Sequence, residues 1–476
     1  MSISVVRWIV LTLLFLTVAS PAQTAAEPSP NVSAASGSLP PNDLLAFTKY
    51  RLKNGLEVIL HQDHSLPMVA LNLWYHVGPS NEPPRRSGFA HLFEHLMFEG
   101  SAHVGRDFDI ILESIGATNS NATTDWDRTN YFETVPREGL ELVLWLESDR
   151  MGFLLEGLTP QRLEVQRGVV KNERRENYEN APYGASGLAM VEALFEPGHP
   201  YHGAIIGSMR DIDAASFEDV RHFFQAFYAP SNATLALAGD FDPVPTRALI
   251  DRYFGSLPER PGAVRWRPER RRATPPLKTA KRVIINEHVQ LGRLALGWIT
   301  PPAFTPDDCV LHVVMSLLAG GKATRLYQEL VVEQRVSSEV SASLDSTELG
   351  SMVGVTATRA TGTAEEKLEK ALDGALEVLR QRGPTEQELS RAKRRIRLQV
   401  MDSLQLFNSS GGDAGQAGIL QRFNHYLGDP GGLAGWLAQI DKVSRADVMR
   451  VMGHYLMPAT RVVVVTREET KTKAGP

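Results

Sequence analysis

The chain has 476 residues, which is too long for one ordinary hydrophobic core, so we expect at least two domains. Hydrophobic residues make up 43% of it and charged residues 22%, a balance that is typical of globular proteins and excludes a mainly disordered chain. The formal net charge of −5 at pH 7 gives no general electrostatic reason to bind nucleic acid or an anionic membrane surface.

The N-terminus has the pattern of a secretory signal peptide. Arg7 precedes an apolar run that begins at Trp8, and small residues follow in SPAQTAAEPS. The apolar run is shorter than the roughly 20 residues that a membrane-spanning helix needs. We therefore expect a signal peptide at 1–22, a Pro/Ser-rich linker at 23–45, and a periplasmic or secreted mature protein without a membrane span.

Two strands and a helix follow the linker. RLKNGLEVILHQD places a turn at Asn54-Gly55 before an alternating strand, and PMVALNLWYHVG supplies the next strand. The helix, FAHLFEHLMFEG, sets two histidines and a glutamate among leucine and phenylalanine. Polar groups in such an apolar setting need a structural or a chemical reason.

The spacing of these polar residues is typical of a zinc site. His91 and His95 are four residues apart, so one helix face can direct both imidazoles at a single ion. Glu94 projects about 60° away from His91, so its carboxylate can flank the metal and act as a base. The order His-x-x-Glu-His is the inverzincin signature, although so short a motif also arises by chance.

A catalytic zinc site usually combines three protein ligands with one open position for water. The helical segment RLEVQRGVVKNERREN supplies three glutamates downstream of the motif, Glu164, Glu173 and Glu176. Helical spacing alone does not choose among them.

The same order of elements occurs twice. After a Pro/Arg-rich linker at 258–280, KRVIINEHVQLGRLALGWITPP and LHVVMSLLAGGKATRLY take the places of the earlier strands and helix. Residues 216–239 and 444–466 also match, each as a helix, a Pro-bearing turn and an apolar strand. With no regular βαβ spacing, the pattern favours an α+β fold of two homologous domains at 46–257 and 281–470, each an antiparallel sheet covered by helices and related by internal duplication.

HLFEHLMFEG followed by VVKNERREN resembles the pitrilysin, or insulinase-like, zinc peptidases, a group that includes mitochondrial processing peptidase. The resemblance continues through NSNATTDWDRTNYFETVP, HPYHGAIIG and GGKATRLYQEL and covers nearly all of the mature chain. It implies a zinc endopeptidase with one Zn²⁺ per chain, bound by His91, His95 and Glu173, and with Glu94 as the general base.

The resemblance also concerns the substrate. Asn121 and Ala122 match an Asn-Ala pair on a family edge strand that pairs with extended peptide by β-augmentation. An ordinary strand or turn is the alternative for this segment. A second glutamate that some members carry seven residues before the ligand is absent, since this chain has Gln166 there.

Only the first unit of the repeat keeps the complete set of chemical groups. The counterparts of the three motif residues and of Glu173 in the second unit are, in order, His312, Met315, Ser316 and approximately Gln399. A helix in this place therefore does not require two histidines and a glutamate for structural reasons. We predict a zinc-bearing first domain and a non-catalytic second domain.

One departure from the family implies a partner. Active members carry an Arg and a Tyr, seven residues apart, in the unit opposite the zinc, whereas LVVEQRVSSEV has Val331 and Ser338 in those places. The resemblance then implies that a homologous Arg/Tyr-bearing subunit, or a second copy, pairs with this chain around a chamber that admits peptides or unfolded segments. The alternative is a non-catalytic scaffold or peptide-binding subunit of the same family.

Three further residues are interpreted without a catalytic role. The single cysteine, Cys309, cannot form an internal disulfide and is predicted to be a small core residue. His199 and Tyr201 in GHPYHG can face the cleft, but a Pro-bearing turn explains them about as well.

Overall fold

The protein is described from a computed structural model. The described residues are 44–105, 108–267, 273–409 and 411–469. The predicted signal peptide at 1–22 and residues 23–43 of the predicted linker lie outside them. Among the described residues, no helix combines the length and the apolar character that crossing a membrane requires.

The strands form two sheets, one in each half of the chain. They are β1 (Thr48–Arg51), β2 (Glu57–Gln62), β3 (Met68–Tyr75), β4 (Thr118–Thr124), β5 (Thr129–Pro136), β6 (Ala233–Gly239), β7 (Lys281–Glu287), β8 (Arg293–Thr300), β9 (Ser337–Asp345), β10 (Ser351–Arg359) and β11 (Val462–Glu468). Within the described residues, the first sheet has the order β1-β2-β6-β3-β5-β4 and the second has the order β7-β11-β8-β10-β9.

The α-helices of the described residues all lie between β3 and β11 along the chain. They are α1 (Phe89–Leu96), α2 (Phe108–Ser114), α3 (Leu140–Gly157), α4 (Pro160–Arg174), α5 (Gly184–Leu194), α6 (Met209–Asp213), α7 (Phe217–Phe227), α8 (Pro243–Tyr253), α9 (Pro306–Leu318), α10 (Glu365–Arg382), α11 (Glu386–Leu404), α12 (Gly415–Leu427), α13 (Leu433–Lys442) and α14 (Arg445–Tyr455). This arrangement confirms the predicted α+β class with two duplicated halves.

Each sheet is antiparallel except at one pair of strands. β2 pairs in parallel with β6, and β7 pairs in parallel with β11. In both halves the last strand enters the sheet between the first pair of long strands, which run in opposite directions. A strand inserted there must be parallel to one neighbour and antiparallel to the other, so the parallel pair follows from the topology.

Each half has a hydrophobic core between one face of its sheet and its own helices. In the first half, apolar side chains of β2, β3, β5 and β6 meet α1, α3 and α7. In the second half, those of β8, β10 and β11 meet α9, α10, α11 and α14. Cys309 lies in this second core and is 2% exposed, as predicted for a core residue.

The opposite face of each sheet is covered by a helix from the other half. α12 lies on β2, β3 and β6, where Leu420 packs with Ile59 and Ala236. α5 lies on β7, β8 and β11, and its Leu194 belongs to one cluster with Val464. β6 and β11 are therefore covered on both faces, which explains their nearly continuous apolar sequences.

The predicted domain division at 46–257 and 281–470 stays a prediction. β1 begins at Thr48 and β7 at Lys281, close to the predicted starts of the two domains. The halves are joined, however, because α5 packs on the second sheet and α12 packs on the first. The described part of the linker is also packed, since the ring of Trp266 stacks 3.8 Å from that of His76.

Candidate metal centre

The motif helix α1 begins at a glycine and is almost completely buried. Gly88 has φ of 91°, and a Cβ there would lie 2.6 Å from the carbonyl oxygen of Ile206. The carboxylate of Glu82 accepts hydrogen bonds from the amides of Gly88 and Ala90, at 3.0 and 2.9 Å. These bonds satisfy amides of the first turn that the helix itself leaves free.

Helix α4 carries the third candidate group at its C-terminal end. The Thr159 hydroxyl accepts a hydrogen bond from the Arg162 amide at 3.2 Å, and Pro160 occupies the first helical position, so the start of the helix is well defined. Glu173 lies in the last turn, and a π-helical turn, Arg175–Glu179, follows. Such turns are frequent at functional sites. α4 packs beside α1, so Glu173 lies next to the two histidines.

The three predicted ligands converge. Nε2 of His95 lies 3.2 Å, and Nε2 of His91 3.6 Å, from Oε2 of Glu173. One ligand atom from each residue lies within 4.8 Å of the others. The side chains are only 11%, 12% and 19% exposed for His91, His95 and Glu173. Two imidazole nitrogens and one carboxylate oxygen are the three-ligand donor set of a catalytic zinc ion, which takes water in its fourth position.

The protonation states also suit a metal. Burial lowers the pKa of His91, which keeps its imidazole neutral near pH 7, the form that binds metal. Burial alone would raise the pKa of Glu173, but the adjacent imidazoles of His95 and His91 outweigh it and hold the pKa below its ordinary value. Glu173 is therefore ionised at neutral pH.

Glu94 is buried on the same helix and is anchored to the neighbouring sheet. Its Oε2 accepts a hydrogen bond from the hydroxyl of Thr124 at 2.6 Å. Thr124 is the last residue of β4, so this bond joins the proposed base to the strand. Sequence reasoning missed Thr124, whose one signal was its place in the segment NSNATT.

The predicted substrate-binding pair lies on an edge strand. β4 ends the first sheet, and Asn121 and Ala122 pair across to Phe132 and Tyr131 of β5. The amide of Ala122 donates to the side-chain oxygen of Asn121 at 2.8 Å. Pairing of a peptide with this amide would require the Asn121 side chain to move.

The other glutamates of α4 and its extension do not join the site. Glu164 is exposed and forms an ion pair with Arg167 at 2.6 Å, and Glu176 is exposed in the π-helical turn. Gln166, in the place of the second family glutamate, donates to Glu99 at 2.5 Å.

The remaining candidates have structural surroundings. The hydroxyl of Tyr201 donates to Asp127 at 2.6 Å and accepts from the amide of Leu349 at 3.1 Å, which links the two halves. Val331 lies in a second π-helical turn, Tyr327–Glu333, and Ser338 lies in β9.

Comparison with known proteins places both halves in one family. Residues 57–192 match the family described as insulinase (peptidase family M16), and residues 214–396 match the one described as the peptidase M16 inactive domain. The zinc protease PqqE of Helicobacter pylori is 29% identical over 414 residues, which cover 85% of this chain and 89% of that protein.

Solved structures agree on the fold. A protease from Helicobacter pylori matches with a TM-score of 0.81 at 27% identity, over 89% of this chain and 99% of that one. The periplasmic protease PqqL from Escherichia coli matches with a TM-score of 0.70 at 18% identity, over 91% of this chain and 48% of that one. The second likeness concerns the fold alone.

Proposed function

We propose that this chain, which belongs to the insulinase-like M16 family of peptidases, is a zinc-dependent endopeptidase with one Zn²⁺ per chain. The observation that carries the proposal is the convergence of His91, His95 and Glu173 in a shielded position beside a buried Glu94. The names of relatives such as the zinc protease PqqE support the same chemistry.

In this proposal the chain's own groups handle the proton. Zinc held by the two histidines and Glu173 would lower the pKa of a coordinated water and polarise a peptide carbonyl. Glu94 accepts the proton of the attacking water and delivers it to the departing amine. Because Thr124 holds Oε2 of Glu94, we assign the transfer to Oε1.

Peptides are the proposed substrates because the site adjoins a sheet edge. An extended segment paired with β4 at Asn121 and Ala122 would run beside the strand end that holds Glu94. Edge pairing uses backbone groups, so it favours extended peptides or unfolded segments over folded proteins.

Export and pairing complete the proposal. The N-terminal pattern at 1–22 supports a periplasmic or secreted location, and a relative, PqqL, is named as periplasmic. Val331 and Ser338 support association with a homologous subunit that supplies the Arg/Tyr pair. A second copy of this chain, which would carry the same Val and Ser, is the alternative partner. If the monomeric chain alone cleaves peptides as fast as a reconstituted pair, the partner hypothesis is wrong.

The same two residues favour a second candidate, a non-catalytic scaffold or peptide-binding subunit. Cleavage of a quenched peptide library by the mature chain, alone and with a homologous subunit, separates the candidates. We expect Glu94→Gln to reduce kcat by about 10²-fold or more while zinc content is unchanged. Glu113→Gln, an exposed glutamate in α2, is the matched control. Zinc binding with equal, background cleavage by all variants would support the non-catalytic candidate.

A further inference from the structure

The second half contains a cavity of about 500 Å³ at the positions that correspond to the metal centre of the first half. Its lining includes all four counterparts of the zinc-site residues, His312, Met315, Ser316 and Gln399. The duplicated fold has therefore kept a recess where the donor groups were replaced. A volume of this size is typical of sites for small ligands.

The cavity is not suited to a metal. Met315 and Ser316 replace a carboxylate and an imidazole, and the remaining imidazole is engaged elsewhere. Nε2 of His312 lies 3.7 Å from Oδ2 of Asp308, and its ring meets that of Trp436 edge-on at 5.3 Å. Burial, together with the charge of Arg422, lowers the pKa of His312 to about 3, so this residue is neutral near pH 7.

Two guanidinium groups give the cavity a positive character. Arg395, from α11, and Arg422, from α12, both line it. Within the described part of the chain, neither has a carboxylate at ion-pair distance. Arg395 donates to the carbonyl oxygen of Ser316 at 3.3 Å, and Cζ of Arg422 lies 5.6 Å from the ring centre of Phe304. Asp413 is the one carboxylate among the lining residues, against two guanidinium groups. The buried carboxylate of Asp308, behind His312, lies outside the lining, and burial raises its pKa to about 6 although the charge of Arg422 lowers it.

The rest of the lining is mainly apolar. Phe304 and Phe423 stand 4.8 Å apart, and Leu344, Ile396 and Leu433 join them. An apolar wall beside two guanidinium groups that have no carboxylate at ion-pair distance within the described residues fits a ligand with an apolar body and a carboxylate, because a carboxylate can accept charge-assisted hydrogen bonds from arginine.

We propose that this cavity binds the C-terminal end of an apolar peptide, with Arg395 and Arg422 holding the free α-carboxylate and the terminal side chain lying against Phe304. A free aliphatic carboxylic acid shares this chemistry. We favour a peptide because the loop that lines the cavity at Asp413 also meets the edge strand, where the hydroxyl of Thr123 donates to the carbonyl oxygen of Gly411 at 3.3 Å. This choice of ligand rests on the proposed function, in which extended peptides bind at the edge strand β4.

The test is calorimetric titration of the mature chain in the Glu94→Gln background, which prevents hydrolysis of the probes. The probes are acetyl-Leu-Phe, its C-terminal amide and decanoate. We expect the acid to bind at least tenfold more tightly than the amide. Arg395→Gln and Arg422→Gln should each remove that preference, and Arg395→Lys should restore part of it. Arg394→Gln, an exposed neighbour on α11, should change nothing.

Equal binding of the acid and the amide by the parent chain would overturn the proposal, as would an equal loss in Arg394→Gln. Arginine-dependent binding of decanoate without binding of the peptide acid would overturn the peptide assignment. Thermal unfolding of each variant identifies any that fails to fold. If Arg395→Gln fails to fold, Arg395→Lys is compared with the parent chain in its preference for the acid over the amide. The titrations do not depend on catalysis, so they give the same result if the wild-type chain proves to have no peptidase activity. The cavity proposal and the endopeptidase proposal can therefore fail separately.

Discussion

Zinc should stabilise the folded chain, and Glu173 should be required for the effect. His91 and His95 lie on α1, whereas Glu173 lies at the end of α4, so the three groups meet only when the two helices pack together. An ion that all three bind therefore favours the folded state over the unfolded chain. The substitution Glu173→Gln removes the anionic ligand and leaves the neighbouring imidazoles in place.

The size of the effect follows from linkage. An ion at 100 times its dissociation constant, bound to the folded state alone, adds about 2.7 kcal/mol to the free energy of unfolding. Because α5 and α12 join the halves, we expect residues 44–469 to unfold as one unit. An unfolding entropy of about 2.1 cal/mol/K per residue then gives about 1 °C in Tm for each kcal/mol, so an increase of roughly 3 °C is expected. The burial of all three side chains limits competition from solvent.

The assay is calorimetric unfolding at pH 7.5 of chelator-treated protein, with and without added zinc. Wild type and Glu176→Gln should show the full increase in Tm, because Glu176 is exposed and outside the cluster. Glu173→Gln should show little or none. A full zinc-dependent increase in Glu173→Gln, or its loss in Glu176→Gln, would refute the assignment of Glu173 as a ligand.

Three further predictions test the surroundings of the site and the fold. Thr124→Val should lower kcat about tenfold or more, because Glu94 loses a charge-assisted hydrogen bond of about 1.5–3 kcal/mol. Steady-state kinetics measure kcat, and metal analysis should show an unchanged zinc content. Leu420→Ala should lower the free energy of unfolding by about 2–5 kcal/mol, whereas Leu427→Ala, at an exposed position on the same helix, should cost less than about 0.5 kcal/mol in denaturant titrations. His312 has a pKa of about 3 in the folded chain and 6.5 in the unfolded chain, so its contribution to stability is complete above pH 6.5 and is lost as the pH falls toward 3. His312→Gln should therefore make the free energy of unfolding less dependent on pH between 6 and 4. An unchanged slope of the free energy of unfolding against pH would contradict this account.

The sequence by itself determined what depends on local periodicity and on repetition. Helical geometry fixes residues four apart on one face, so the placement of His91, Glu94 and His95 followed from spacing alone. Apolar runs and matching segments predicted the α+β class and the duplicated halves, because a repeat is visible in the sequence whatever its packing.

Only the tertiary structure decided which distant groups meet. Helical spacing did not choose among the three glutamates of α4 and its π-helical extension, and only the family resemblance pointed to Glu173. The packing of α4 beside α1 brings Glu173, rather than Glu164 or Glu176, to the histidines. The same holds for the bond from Thr124 to Glu94, and for the cavity formed at the counterpart positions of the second half. Such contacts depend on which surfaces are buried together, a property of the whole folded chain that residue spacing along one helix or strand does not encode.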